Sequence, residues 1–112
     1  MQPIPRYRFE QLVADAIDEL PEPLVPVLDN VVVRIVDRDP DEPGLLGLYD
    51  GVPHIERTGA EGPDVVSIYR LALCEACDDL DHLADEVYVT VIHEIAHAAG
   101  IDDERLHELG WA

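Results

Sequence analysis

Two histidines four residues apart, His93 and His97, with the acid Glu94 beside the first, are the side chains of this sequence best spaced to do chemistry. On a helix, positions i and i+4 lie one turn apart on the same face, so both imidazoles can reach one ion. Glu94 sits about 100° round such a helix from His93. From there its carboxylate can reach a water on the ion rather than the ion itself. Gly100 follows, a residue able to adopt the left-handed conformation that ends a helix and reverses the chain. The reversal carries Asp103 back toward the histidines as a third ligand. Two imidazoles and a carboxylate leave a fourth tetrahedral position open, the pattern of a catalytic zinc site rather than a closed structural one. Asp102, Glu104 and His107 are the rivals of Asp103 for the third place, and the spacing favours Asp103. The expectation is one zinc ion per chain on His93, His97 and Asp103, with Glu94 as general base.

The helix that must position these groups is legible around them. Glu86, Thr90, His93, Glu94 and His97 fall in one wedge about 100° wide. Val87, Tyr88, Val91, Ile92, Ile95 and Ala99 fill the opposite side, so the helix is expected to be buried over most of its circumference. Polar side chains confined to one wedge of a buried helix must face each other, an ion or a water-filled cleft, because unpaired burial costs about 1–3 kcal/mol per group. This helix is expected from about residue 81 to residue 99, closed by Gly100, with a short helix after it.

Earlier in the chain, Phe9, Leu12, Val13, Ala16, Ile17 and Leu20 form a helical stripe that Pro21 ends. The stretch Pro21-Glu22-Pro23 reads as a rigid exit. Asn30 to Asp37 is β-branched and reads as a strand with Val31, Val33 and Ile35 on one face. Leu45 to Tyr49 and Val65 to Leu71 read as two more strands. Pro53 to Arg57 reads as a short run that pairs locally, at an edge because of Pro53. Asp39 to Gly44 is dense in turn residues and reads as a loop. With no regular alternation of strand and crossover helix, the expected class is α+β. The expected architecture is an N-terminal helix, a small mixed sheet of three or four strands, the long helix and a short C-terminal helix, all in one domain over residues 1–112.

Charge removes whole classes of function. The 112 residues carry 25 acids against 7 basic residues, all arginine, for a net charge of −18. A nucleic-acid module needs a basic stripe, and an anionic lipid surface needs basic residues as well, so both are expected to be absent as partners. No apolar run approaches the ~18 residues of a membrane helix, and the N-terminus lacks the apolar region of a signal peptide. Cys74 and Cys77 are a lone C-x-x-C, read as two incidental thiols. Cytoplasm is the expected compartment, and any protein substrate or partner is expected to be basic.

The segment His93-Glu94-Ile95-Ala96-His97-Ala98-Ala99-Gly100-Ile101-Asp102-Asp103 matches the extended zincin signature in the variant whose third ligand is Asp. The whole chain resembles the small bacterial zincin-like metallopeptidase family with a minimal matrix-metalloprotease-like domain. The matching features are the Phe9 to Leu20 helix ending in Leu20-Pro21, the strand Asn30 to Val36, Gly47-Leu48-Tyr49-Asp50-Gly51, Ile68-Tyr69-Arg70, and Thr90 to His97. The resemblance implies a minimal zincin-like fold and a metallopeptidase. Larger metzincins add a Met-turn under the zinc, whereas the only methionine here is Met1 and nine residues follow Asp103. No lower subdomain or deep specificity pocket is therefore expected.

The leading expectation is a zinc-dependent peptide hydrolase in which Glu94 takes a proton from water and delivers it to the leaving amine. Its competitor is a catalytically idle metal-binding domain that recognises or regulates a protein partner. A metal-dependent nuclease would need a basic groove, which the net charge disfavours. Strand Val65 to Leu71 is expected to offer the edge on which a peptide lies. Tyr69 and Arg70 are the candidates for oxyanion stabilisation. His54 and His82 read as ordinary loop or helix-start residues, and the acid runs Asp37 to Glu42 and Cys77 to Asp85 as solvated surface.

Overall fold

A computed structural model describes residues 1–51 and 62–111 of the chain. Its class is α+β. The first helix, α1 (Arg6–Asp18), buries Phe9, Val13 and Ala16, the stripe expected of it. It stops two residues short of Leu20, since a residue before proline is pushed out of the α region. The amides of Glu19 and Leu20 close the end by bonding to the carbonyls of Ala16 and Ile17. Leu20 still packs into the core. The proline-rich exit is more regular than expected, because Glu22–Asn30 form a 3-10 helix. Prolines pre-set the backbone angle such a helix needs and lack an amide only where few amides are bonded. Leu24 anchors the segment in the core at 1% exposure.

Three strands follow: β1 (Val31–Val36), β2 (Gly47–Asp50) and β3 (Asp64–Tyr69). The sheet order is β1-β3-β2, with β1 parallel and β2 antiparallel to β3. In this register Val33 and Tyr49 flank Val66, and Ile35 and Gly47 flank Ile68, so one face of the sheet gathers the core residues. The expectation that β3 offers a free edge is overturned, because β3 is central and hydrogen-bonded on both sides. Among the described residues the edges are β1 and β2. The local pairing expected of Pro53 to Arg57 lies outside the described residues.

Beyond Tyr69 the chain turns directly into a helix, α2 (Arg70–Ala76), where the sequence reading extended the strand to Leu71. Arg70 fastens this junction: its guanidinium donates to the Asp37 carboxylate and to the Ile4 carbonyl. Cys74 and Cys77 are buried free thiols, and burial pushes the Cys77 thiol upward in pKa. The long helix α3 (Leu80–Ala98) starts on Asp79, whose side chain accepts from the His82 amide at 2.8 Å. Leu83, Val87, Val91 and Ile95 are fully buried along it, where it packs against α1, β2 and β3. A last short helix, α4 (Asp103–Leu109), buries Leu106. No described helix is long and apolar enough to cross a membrane.

Candidate metal centre and cleft

The last two turns of α3 carry His93, Glu94 and His97, and a capping turn returns the chain to them. Gly100 has φ +83°, its amide bonds the His97 carbonyl at 3.0 Å, and the Ile101 amide bonds the Ala96 carbonyl at 2.9 Å. These paired bonds form a Schellman turn, which needs a residue free to take positive φ. Asp102 then caps α4 by accepting from the Arg105 amide at 2.9 Å, and Asp103 becomes the first residue of that helix. As a result Asp103 Oδ1 lies 3.0 Å from His97 Nε2 and 3.3 Å from His93 Nε2. The two imidazoles stand edge to face with centroids 4.3 Å apart. All three side chains expected around an ion thus come together.

Their spacing fits a small divalent cation. Ligand bonds of about 2.0–2.2 Å in a tetrahedron put neighbouring donor atoms about 3.3 Å apart. The Asp103–His93 distance of 3.3 Å equals that value and the Asp103–His97 distance of 3.0 Å lies just under it. The donors also fit chemically, since two neutral imidazoles and an anionic oxygen suit zinc. Hydrogen bonding to His97 holds the Asp103 carboxyl below its ordinary pKa, with His93 and His107 adding to the effect. Asp103 is therefore anionic at neutral pH. His107 is exposed and shares with His93, Asp103, Val89 and Leu106 a smaller hollow of about 230 Å³.

Glu94 is 8% exposed despite its charge. Its Oε1 lies 3.4 Å from His97 Nδ1, and donor atoms of His93, Glu94 and His97 all lie within 4.8 Å of one another. On its other side Glu94 opens into a cleft of about 520 Å³ between α3 and the segment leading into β2. The polar wedge expected of α3 forms one wall, with Glu86, Thr90, His93 and Glu94 facing the cleft. Asp41, Glu42, Leu45 and Leu46 form the other wall, and among the described residues no arginine lines the cleft.

That second wall was missed as a functional element, since an aperiodic acid-rich loop reads as solvated surface. It is held in place by specific bonds. Asp39 Oδ1 accepts from the amides of Asp41 and Glu42, both at 2.8 Å. Its Oδ2 accepts from the Tyr69 hydroxyl at 3.0 Å. Arg38 ties the same loop to Glu75 and to the Pro43 carbonyl. These bonds correct the reading of Tyr69 and Arg70 as oxyanion groups: Tyr69 is committed to Asp39 and Arg70 to Asp37 and Ile4. Neither lines the cleft. His82 sits at the start of α3, where its Nδ1 accepts from the Asp78 amide, and His54 lies outside the described residues.

The fold is similar to that of a conserved hypothetical protein from Thermus thermophilus, with a TM-score of 0.61 and 24% identity over 86% of this chain and 94% of that one. No curated protein matches the chain. A family model described as zincin-like metallopeptidase matches residues 28–111, a span that holds the whole sheet, α3 and every residue of the metal centre. By that match the chain belongs to the zincin-like metallopeptidase family.

Proposed function

We propose that the protein is a zinc-dependent peptidase in which His93, His97 and Asp103 hold the ion and Glu94 is the general base. The observation that carries this reading is the convergence of both Nε2 atoms on one oxygen of Asp103, with Glu94 beside them at the cleft. A bound zinc ion supplies Lewis acidity to such a site. The Glu94 carboxylate accepts a proton from the water that attacks the peptide carbonyl carbon. It then donates that proton to the amide nitrogen as the C–N bond breaks. A peptide lies along the edge of β2, which has no second strand beside it among the described residues and whose first residue, Gly47, borders the cleft. Strand addition at such an edge holds an extended chain by its backbone. The preferred peptides carry basic side chains, which Asp41, Glu42 and Glu86 attract.

One contact favours a second reading, an idle metal-binding domain. The 3.4 Å approach of Glu94 to His97 Nδ1 is what an outer partner uses to fix the tautomer of a ligating histidine. One variant separates the two readings. As a base, Glu94→Gln retains one zinc per chain with unchanged affinity and loses hydrolysis across a peptide library. As an outer partner only, Glu94→Gln weakens zinc by about 10–100-fold, and the wild-type protein cleaves nothing. Purified protein without zinc near one equivalent sinks both.

A further inference from the structure

We infer that Gly47 is a positioning residue: its missing side chain lets β2 lie close enough to α3 to hold the Glu94 side chain in place. The inference rests on the reading of Glu94 as general base. Glycine weakens a strand unless it supplies a special backbone angle or a close approach. The first reason is absent, since among the described residues only Gly100 and Gly110 have positive φ. The second is present. A Cβ on Gly47 would lie 2.7 Å from Thr90 Cγ2, 3.1 Å from Glu94 Cγ and 3.4 Å from the Ser67 carbonyl oxygen. Carbon atoms rest about 3.5–4.0 Å apart, so an added methyl has to displace something.

The surroundings decide what moves. The Ser67 carbonyl belongs to the central strand and does not yield. Thr90 and Glu94 lie one turn apart on α3 at 6% and 8% exposure, so neither has free space behind it. Glu94 is also bounded by His97 at 3.4 Å. Thr90 and Glu94 both border the cleft, so an added methyl crowds the two side chains toward it, and Glu94 is the one of them that acts on the substrate. A methyl at position 47 therefore pushes the base away from its working place, while none of its three nearest contacts is to His93, His97 or Asp103. The Glu94 contact asks for a shift of a few tenths of an ångström, and a full shift of about 1 Å costs a reacting group roughly a hundredfold in rate, so the expected loss is about tenfold.

The test compares full-length, zinc-loaded wild type with Gly47→Ala, Thr90→Ser and the double variant, measuring zinc affinity, kcat and KM on a basic peptide, and crystal structures. Gly47→Ala lowers kcat by about tenfold with KM and zinc affinity unchanged. Thr90→Ser deletes the atom of closest contact, so the double variant recovers most of the lost kcat. Wild-type kcat in Gly47→Ala overturns the inference, as does a parallel loss of zinc or a double variant as slow as the single one. If Gly47→Ala does not fold, Gly47→Ser in the Thr90→Ser background restores the crowding by one atom, and kcat equal to that of Thr90→Ser alone overturns it. If wild type hydrolyses no peptide, the peptidase reading fails on its own. The crystal structures then decide the placement: a Glu94 carboxylate shifted in Gly47→Ala and restored in the double variant supports it, and an unmoved carboxylate overturns it.

Discussion

Asp103 Oδ1 lies 3.0 Å from His97 Nε2, across a turn that only a left-handed residue at position 100 allows. A Cβ on Gly100 would meet nothing within 4 Å, so substitution there tests backbone conformation without a steric clash. An L-residue held left-handed costs about 1–2 kcal/mol. Gly100→Ala is expected to lower the thermal midpoint of zinc-free protein by several degrees, given about 4–8 °C per kcal/mol in small domains. It also weakens zinc, because relaxing the turn withdraws Asp103 from the two histidines. Chelator competition reads the affinity. A variant with a lowered midpoint and wild-type affinity would overturn the expected relaxation, showing that the turn stays left-handed under strain and keeps Asp103 in place.

The choice between Asp103 and His107 is open to the same assay. Removing a true ligand costs more than the roughly 10–100-fold that an outer partner is worth. Asp103→Ala is expected to exceed that loss. His107→Ala is expected to fall well below it, since this exposed side chain acts on Asp103 only through its charge. The reverse ranking moves the third ligand to α4's second turn.

Most of this centre could be read from residue types because its geometry is local. The spacing of His93, His97, Gly100 and Asp103 spans a helix end and one turn, and both follow from chain stereochemistry. What the sequence hid depends on distant pairing. Nothing local says that Val65 to Tyr69 pairs on both sides, which removes it as an edge and leaves β2. Nothing marks Arg70 as a helix start either, since Leu71, Ala72 and Leu73 continue an apolar run that fits strand and helix alike. The Asp41 to Leu46 wall is aperiodic, and its order comes from Asp39, Tyr69 and Arg38. Gly47 did leave a signal, a glycine inside a strand with no turn to make.

The loop that forms this wall has a pH dependence set by its own bonds. Amides of Glu42 and Asp41, and then the Tyr69 hydroxyl, hold the Asp39 carboxyl below its ordinary pKa. A depressed carboxylate contributes stability above its unfolded pKa of about 3.9 and loses it as pH falls through the lower folded value. Tyr69 shifts upward, through burial first and then Asp39. Its contribution is complete below about pH 10 and is lost as pH rises through the folded value. The Cys77 thiol, raised by burial, adds a loss that begins above about pH 8.5. Urea midpoints followed from pH 3 to 11 should therefore fall at both ends. Tyr69→Phe removes the component above about pH 10 and spares most of the acid limb, because backbone amides dominate Asp39. An unchanged alkaline limb in that variant would refute the assignment.

The charge of the cleft predicts which peptides the site accepts. Asp41, Glu42 and Glu86 line it, with no arginine among the described lining residues, in a chain of net charge −18. A cleft lined by one sign of charge concentrates ligands of the opposite sign and raises association by about 10–1,000-fold at low salt. Peptides with Lys or Arg near the scissile bond are thus expected to exceed matched Glu peptides in kcat/KM, with the gap in KM rather than kcat. Raising salt from about 0.01 to 0.15 M shortens the screening length from about 30 to 8 Å, so the preference should shrink with it. Glu86 reports on this without touching the metal ligands: it lies on α3 ahead of Thr90, with its side chain 38% exposed. Glu86→Lys is expected to cut kcat/KM for basic peptides by about tenfold while leaving neutral peptides nearly unchanged. An equal loss for both would mean that Glu86 supports the wall sterically, and that the acids of the cleft do not choose the substrate.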